Sequence, residues 1–414
     1  MIDGTGSPPS RGESVVISNG RIATIGTNVR VPSNAVALDG SGKYLMPGLW
    51  NMHVHVGNYA DGRRALADYL AQGVTGLRDM GSPLDDILRL RRDTDDGTIP
   101  GPHLVVAGPI VQGPLPFQMP LFISVNDAVA GRGTVRMLRN RGVDFIKVQD
   151  AITHDIYVAV AKQARDSRLP FVGHIPPTVL AKEASDLGQR SIEHLGGRFW
   201  GVLIGSSLLE LELHAREVQM YEENLEALKR GAPAGDQNMR SEFTRKIVES
   251  YDTQNAAALV ARFRKNNTWQ CPTLVALRTL WTPSGSYSPD DLYWADRLMA
   301  KNAEGVAMMQ HAGVGLLAGT DLPPNAENGT IHDELVELVE AGLTPMQALV
   351  TATVNPARFL GKLSSLGTVE RGKIADLVLL DADPLENIHN TRKIVSVILN
   401  GRVVFQADPR KAVR

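Results

Sequence analysis

The chain has 414 residues, 43% of them hydrophobic and 21% charged, the composition of an ordinary globular protein long enough for two or three domains. Lys+Arg 43 against Asp+Glu 45 leave no basic excess, so neither nucleic acid nor an anionic membrane surface is expected as a partner. No apolar run approaches the roughly 20 residues of a spanning helix. The single cysteine, Cys271, excludes an intrachain disulfide framework and a thiolate metal cluster, and reads as a small buried residue.

The first residues, "MIDGTGSPPSRGES", lack the basic, apolar and small-residue regions of a signal peptide. A cytoplasmic protein is expected, or a periplasmic or secreted one if a leader has been trimmed. "SVVISNGRIATIG" and "AVALDGSGKYLMPG" then read as short strands and turns, with Asn19-Gly20 a hairpin signal. "GTVERGKIADLVLLDADP" and "IVSVILNGRVVF" repeat the style at the other end, with Asn400-Gly401 at a turn. The two ends, residues 1–45 and 361–414, are expected to pair into one small β-sandwich domain.

Between them, residues 46–360 alternate apolar strands with helical stretches. In "NMHVHV" the period of two puts His53 and His55 on one face and Met52, Val54 and Val56 on the other. Two imidazoles on one wall suit a shared metal, with a pair of core histidines as the alternative. "VTGLRDMG", "HLVVAGPIV", "VDFIKVQD", "LPFVGHIPP", "RSIEHLGG", "TWQCPTLVAL" and "GVGLLAGTDLPP" follow, giving eight β units in all. That is the pattern of an α/β chain folded as a (β/α)8 TIM barrel. An open doubly wound sheet is the rival, but no GxGxxG loop follows any strand. Residues 201–262 break the rhythm as a Glu/Arg/Leu-rich helical insertion with a turn at "RGAPAGDQN". A lid, an oligomer contact or a solvated helix face would each suit it.

Barrel active sites form where strands end. His53 and His55 lie on the first strand and Lys147 inside the fourth. His174 ends the fifth, His194 the sixth and Asp321 the eighth, so these six converge on one mouth. A lysine between Ile146 and Val148 loses hydration if charged, and its neutral amine can capture carbon dioxide as N6-carboxylysine, an anionic bridge; a snorkelling or ion-paired lysine is the alternative. Imidazole and oxygen donors without thiolate fit Zn2+ best, ahead of manganese, cobalt or iron.

"LMPGLWNMHVHVG", "FIKV", "GHIPP", "SIEHL", "AGTD" and "GTVERGKIADLVLLDADP" together resemble the amidohydrolase superfamily, in its imidazolonepropionase-like and prolidase-like branch that includes ochratoxin-hydrolysing enzymes. The resemblance spans nearly the whole chain. It implies two divalent metal ions, one on His53, His55 and Asp321, the other on His174 and His194, with carboxylated Lys147 bridging. Asn51 stands where the family usually has Asp.

The implied reaction is hydrolysis of an amide bond of a dipeptide or N-acyl amino acid, ochratoxin-like amides included. A metal-bridging hydroxide attacks and Asp321 carries the proton to the leaving group. A lactonase or phosphotriesterase would use the same site, and a non-catalytic scaffold would have lost the metals. Arg198 and Trp200, after the sixth strand, are candidates to hold a substrate carboxylate and an aromatic ring, with a surface cation and a packing residue as the alternative. A small-molecule substrate and a homo-oligomer are expected.

Overall fold

The computed structural model describes residues 1–59, 61–115, 119–197, 199–231, 237–280 and 288–407. Strands Ser14–Ser18 and Arg21–Gly26 form the first hairpin. Its two loop residues, Asn19 (φ 49°) and Gly20 (φ 75°), take the left-handed conformation that a two-residue turn between twisted strands requires. Ile394–Leu399 and Arg402–Gln406 repeat this through Asn400 (φ 50°) and Gly401 (φ 74°). The two turns abut: a Cβ on Gly401 would lie 2.8 Å from Gly20 Cα. Ala375 links them, donating its N–H to Gly20 O while its own carbonyl accepts from Gly401 N. The chain ends therefore meet.

An antiparallel sheet runs in the order Arg402–Gln406, Ile394–Leu399, Leu377–Leu380, Tyr44–Pro47. The alternation in "AVAL" does not produce a strand, and Val36 is 99% exposed. Leu377–Leu380 already has a neighbour on each side, so 35–38 has no edge to join there.

The central segments are parallel. Leu49–Val54 pairs with Val74–Asp79, and that strand with His103–Val106. Ile146–Val148, Phe171–Gly173, Ser191–Glu193 and Trp269–Cys271 form a second parallel run, with Ile110–Gln112 and Phe122–Ser124 added beside the first of them. Three contacts join the runs. Asp144 N donates to Val106 O, Gln270 bridges Leu316, and Met52 N donates to Ala318 O at 2.8 Å. Hydrogen bonding thus passes from each parallel segment to the next and returns to the first. This is a mixed α/β fold with a parallel sheet, TIM-barrel-like in its circuit. The last expected strand, around 316–320, makes only a bridge. Gly319 lets it pass close to its neighbours, since a Cβ there would stand 2.8 Å from His53 N and 2.6 Å from Cys271 Sγ.

One face of this circuit buries Leu77, Leu104, Val106, Ile146, Ile192 and Leu316 in the main core with the helices. The other gathers Trp50, Met52, Val105, Phe145, Val172 and Cys271. A Cβ on Gly76 would lie 2.1 Å from the Trp50 indole, so the neighbouring strand must carry glycine there. Truncating the buried Trp50 to alanine should cost about 3–5 kcal/mol.

The simple alternation expected for "NMHVHV" fails at one point. Met52 packs with Trp50, while Val54 and Val56 belong to the outer core. The pairing register shifts between Asn51 and Val54, and such an irregularity re-aims side chains at a strand end.

The insertion is helical as expected, with Glu210–Lys229 and Gln237–Glu249, and the proposed turn at 230–238 falls mostly outside the described residues. Thr253–Asn266 packs Leu259, Val260 and Phe263 into the main core, so the break in rhythm ends near residue 252 rather than 262.

Candidate metal and active site

The six expected residues sit at or beside strand ends, several on unusual backbone. His194 and Asp321 both have φ 54°, and Thr273, which contacts His194, has φ 49°. Non-glycine residues adopt this region at a cost, and such positions concentrate where side-chain placement matters for function. Gly173 (φ 134°) precedes His174, and a Cβ on it would stand 2.2 Å from Val148 O. Lys147 pairs in register with Val172 on the strand that leads to His174.

Each histidine has its Nδ1 taken by a different partner. His53 Nδ1 meets Glu193 Oε2 at 3.0 Å, and His55 Nδ1 meets Gly81 O at 2.8 Å. His174 Nδ1 meets Asp150 Oδ1 at 2.7 Å, and His194 Nδ1 meets Thr273 Oγ1 at 2.6 Å. Carbonyl and carboxylate oxygens only accept. The Thr273 hydroxyl donates to Pro272 O, leaving its oxygen as acceptor. In its neutral form each ring therefore carries its proton on Nδ1 and a lone pair on Nε2.

Those lone pairs converge. Asp321 Oδ1 lies 3.5 Å from His53 Nε2 and 3.2 Å from His55 Nε2, and its Oδ2 lies 3.5 Å from His194 Nε2. The His53 and His194 rings are 4.5 Å apart and the His174 and His194 rings 4.9 Å. His53 Nε2 is buried with no hydrogen-bond partner among the described residues.

Acceptors this close repel one another unless a cation lies among them. Burial pushes the His53 imidazole well below its ordinary pKa and the His194 imidazole down to about 3. Burial also lowers His55, but its bond to Asp321 and that carboxylate's charge outweigh it and raise the net value. For Asp321 burial pushes upward, and the surrounding His53, His55 and His194 override it to hold the carboxyl well below the usual range. Two of the three imidazoles thus resist protonation while all three face a carboxylate, a donor set that fits a divalent metal. His53, His194 and Asp321 group tightly enough to ligate one.

Lys147 is 1% exposed. Burial lowers its pKa, with Glu193 and Asp321 partly opposing. That favours the neutral amine that carbamate formation needs.

Several residues around these six escaped sequence reading. Arg78 and Glu193 form a fully buried ion pair behind His53. Asp79 accepts from Val56 N, Gly81 N and Ser82 Oγ, fixing the turn whose carbonyl holds His55. Asp150 and Thr273 each lie a few residues beyond a strand end. The available signals were the charged "RD" in "GLRDMG" and the Ser-x-Glu spacing in "SIEHL", which puts Ser191 and Glu193 on one face.

Arg198 lies outside the described residues, as do 116–118 of the "VQGPLPFQMP" loop. Trp200 is 4% exposed, edge-on to Phe243, and donates its Nε1 hydrogen to Glu217 at 2.7 Å. It packs with Leu203, Ile204, Leu213 and Leu298. The indole expected at the substrate is instead committed to holding the helical insertion, which leaves it little surface for a ligand.

Residues 244–404 match the description "Amidohydrolase family". The chain is 25% identical over 464 residues to ochratoxinase from Aspergillus niger, covering 98% of this chain and 85% of that protein. A prolidase-like structure from Bifidobacterium longum superposes with a TM-score of 0.73 at 24% identity, covering 95% of this chain and 89% of that one. A Xaa-Pro dipeptidase with bound methionine in its active site gives 0.71 at 20% identity and 98% of each chain. The matched region supplies Cys271, Thr273 and Asp321 to the site described above.

Proposed function

We propose that this chain is a binuclear metal-dependent amidohydrolase. The observation that carries the reading is the set of four histidines whose Nδ1 atoms are all engaged, so that each offers only its Nε2 lone pair. In this reading the parallel circuit is a (β/α)8 barrel, and the β-rich ends form a β-sandwich beside it. His53, His55 and Asp321 would hold one ion and His174 and His194 the other, with Lys147 between them. Zinc suits the donor set best. Bonding of the neutral Lys147 amine to the carbon of carbon dioxide, with loss of one proton, gives the anionic N6-carboxylysine that such a bridge requires.

When bound, the ions would polarise the scissile carbonyl and acidify a water. The chain's own groups do the rest. Asp321, kept ionised by its imidazole neighbours, takes the proton from the attacking water and delivers it to the leaving nitrogen. The hydrogen bonds to Nδ1 prevent the rings from turning as charge develops. The substrate class is a dipeptide or N-acyl amino acid, or an ochratoxin-like amide, supported by the ochratoxinase relative and the prolidase-like and dipeptidase neighbours. The partner is a small molecule, and the assembly a homo-oligomer.

The test is elemental analysis of protein purified without chelator, followed by a hydrolysis screen. About two metal equivalents are expected, with cleavage of dipeptides and N-acyl amino acids ahead of lactones and aryl phosphotriesters. Preference for a lactone or phosphotriester would overturn the amide assignment. No metal uptake after supplementation would overturn the metal centre.

A further inference from the structure

The barrel interior beneath the site holds an ion pair where apolar packing would serve stability as well. Arg78 and Glu193 are both 0% exposed. Arg78 donates from Nε to Met52 O at 2.6 Å, from Nη1 to Ser191 Oγ at 2.9 Å, and from Nη2 to both Glu193 oxygens at 3.0 and 2.8 Å. Ser191 Oγ also donates to Glu193 Oε1. Apart from Arg78 Nη1, which meets Ser191 Oγ, the donors of this cluster point at Glu193 or the backbone, and Glu193 Oε2 is the oxygen that receives His53 Nδ1.

Replacing a buried ion pair with apolar groups is often neutral or stabilising, so the pair needs a reason beyond stability. An ionised carboxylate can accept a hydrogen and never donate one. Held by two hydrogen bonds from Arg78 Nη2, the Glu193 carboxylate presents His53 Nδ1 with an acceptor and so selects its tautomer. Cys271 lies against the same cluster, fully buried, and a Cβ on Gly319 would stand 2.8 Å from His53 Cβ, so the base of this side chain is closely packed.

We infer that Glu193, fixed by Arg78, is the positioning residue of His53, setting its Nε2 lone pair and thereby the affinity of one half of the proposed metal centre. This rests on the metal-dependent reading above. The other half has its own device in Asp150 on His174, so loss of Glu193 should weaken one metal position and spare the other.

Two variants test it, Glu193→Gln alone and Glu193→Gln combined with Arg78→Met. The second removes both charges together and keeps the test open if the single change, which leaves Arg78 unpaired, fails to fold. Zinc retention against a chelator should fall about 10–100-fold at one of the two positions. Nitrogen shifts of 15N-labelled His53 in the metal-free protein should move from one tautomer to a mixture, because a Gln amide can either accept or donate. Wild-type affinity at both positions in the folded variants would overturn the inference, as would a wild-type His53 lacking its Nδ1 proton. A wild-type protein that takes up no zinc would instead overturn the metal-dependent reading, while the His53 shifts would still decide the positioning role.

Discussion

Glu334 offers a quantitative check on how tightly the site's surroundings are packed. It is fully buried on the Ile331–Glu340 helix, and its Oε2 accepts from Val275 N at 2.9 Å. Val275 lies two residues after Thr273, the group that holds His194. Burial raises the Glu334 carboxyl from 4.5 to about 8, with the Val275 and Leu274 N–H groups only partly opposing. Between those values the folded state binds a proton that the unfolded state has released, so stability falls as pH rises. Below 4.5 the contribution is fully present, and it is lost as pH passes through the folded value.

The other resolved buried groups near it act in the opposite sense and at lower pH. His332 is pushed by burial to about 4 and His194 to about 3, and both contributions are complete once pH exceeds the ordinary histidine value of 6.5. His55, raised above 6.5, also titrates in this range, but it is common to wild type and Glu334→Gln, so the difference between the two reports Glu334 over the window from pH 6.5 to 8. At about 1.4 kcal/mol per pH unit, the wild type should lose roughly 2 kcal/mol across it relative to Glu334→Gln. The amide keeps an acceptor for Val275 N and does not titrate. Urea unfolding of both proteins at half-unit pH steps measures the difference. Parallel curves from pH 6.5 to 8 would refute the burial argument.

Two further outcomes concern the site itself. Lys147→Ala should lose metal and activity together, with partial recovery of both in acetate or another short acid; a variant with full metal occupancy would refute the bridging role. Asp321→Asn should lower turnover by several orders of magnitude while much of the metal remains, since an amide can coordinate weakly but cannot carry the proton; a fall of less than about tenfold would assign the base elsewhere.

Most of the candidate site was legible because strand ends and residue types are both written locally. His174 and His194 close short apolar runs, and Asp321 follows "LLAGT". What holds these side chains was not legible, because it comes from elements far apart in the chain. Glu193 meets His53 across 140 residues and Arg78 across 115. Gly81 serves His55 through its carbonyl, and a carbonyl has no signature in sequence. The face of Met52 was misread for a related reason: a period of two assumes an unbroken register, and the shift between Asn51 and Val54 exists only in the pairing with Val74–Asp79. For Trp200 the sequence leaves a ligand contact and a packing role open, because an aromatic ring after a strand suits both, and its packing partners lie on the distant Glu210–Lys229 and Gln237–Glu249 helices.

Asn51, where the resemblance leads to the expectation of Asp, fits the same geometry. Its Oδ1 accepts from His53 N at 3.3 Å and Thr320 N at 3.1 Å, and its Nδ2 donates to Thr320 Oγ1 at 2.9 Å. One side chain therefore ties the segment bearing His53 to the segment bearing Asp321. A carboxylate at 51 could accept both backbone hydrogens, but Thr320 Oγ1 would then have to donate to it and give up its hydrogen bond to Leu322 O at 3.3 Å. It would also bury a second anion one hydrogen bond away from the residue preceding Asp321. The amide satisfies Thr320 as it stands and leaves Asp321 with imidazoles as its only charged-capable contacts among those described. Replacement of Asp by Asn at this position thus keeps the link between the two ligand-bearing segments, and the side chain needs no metal of its own to be satisfied.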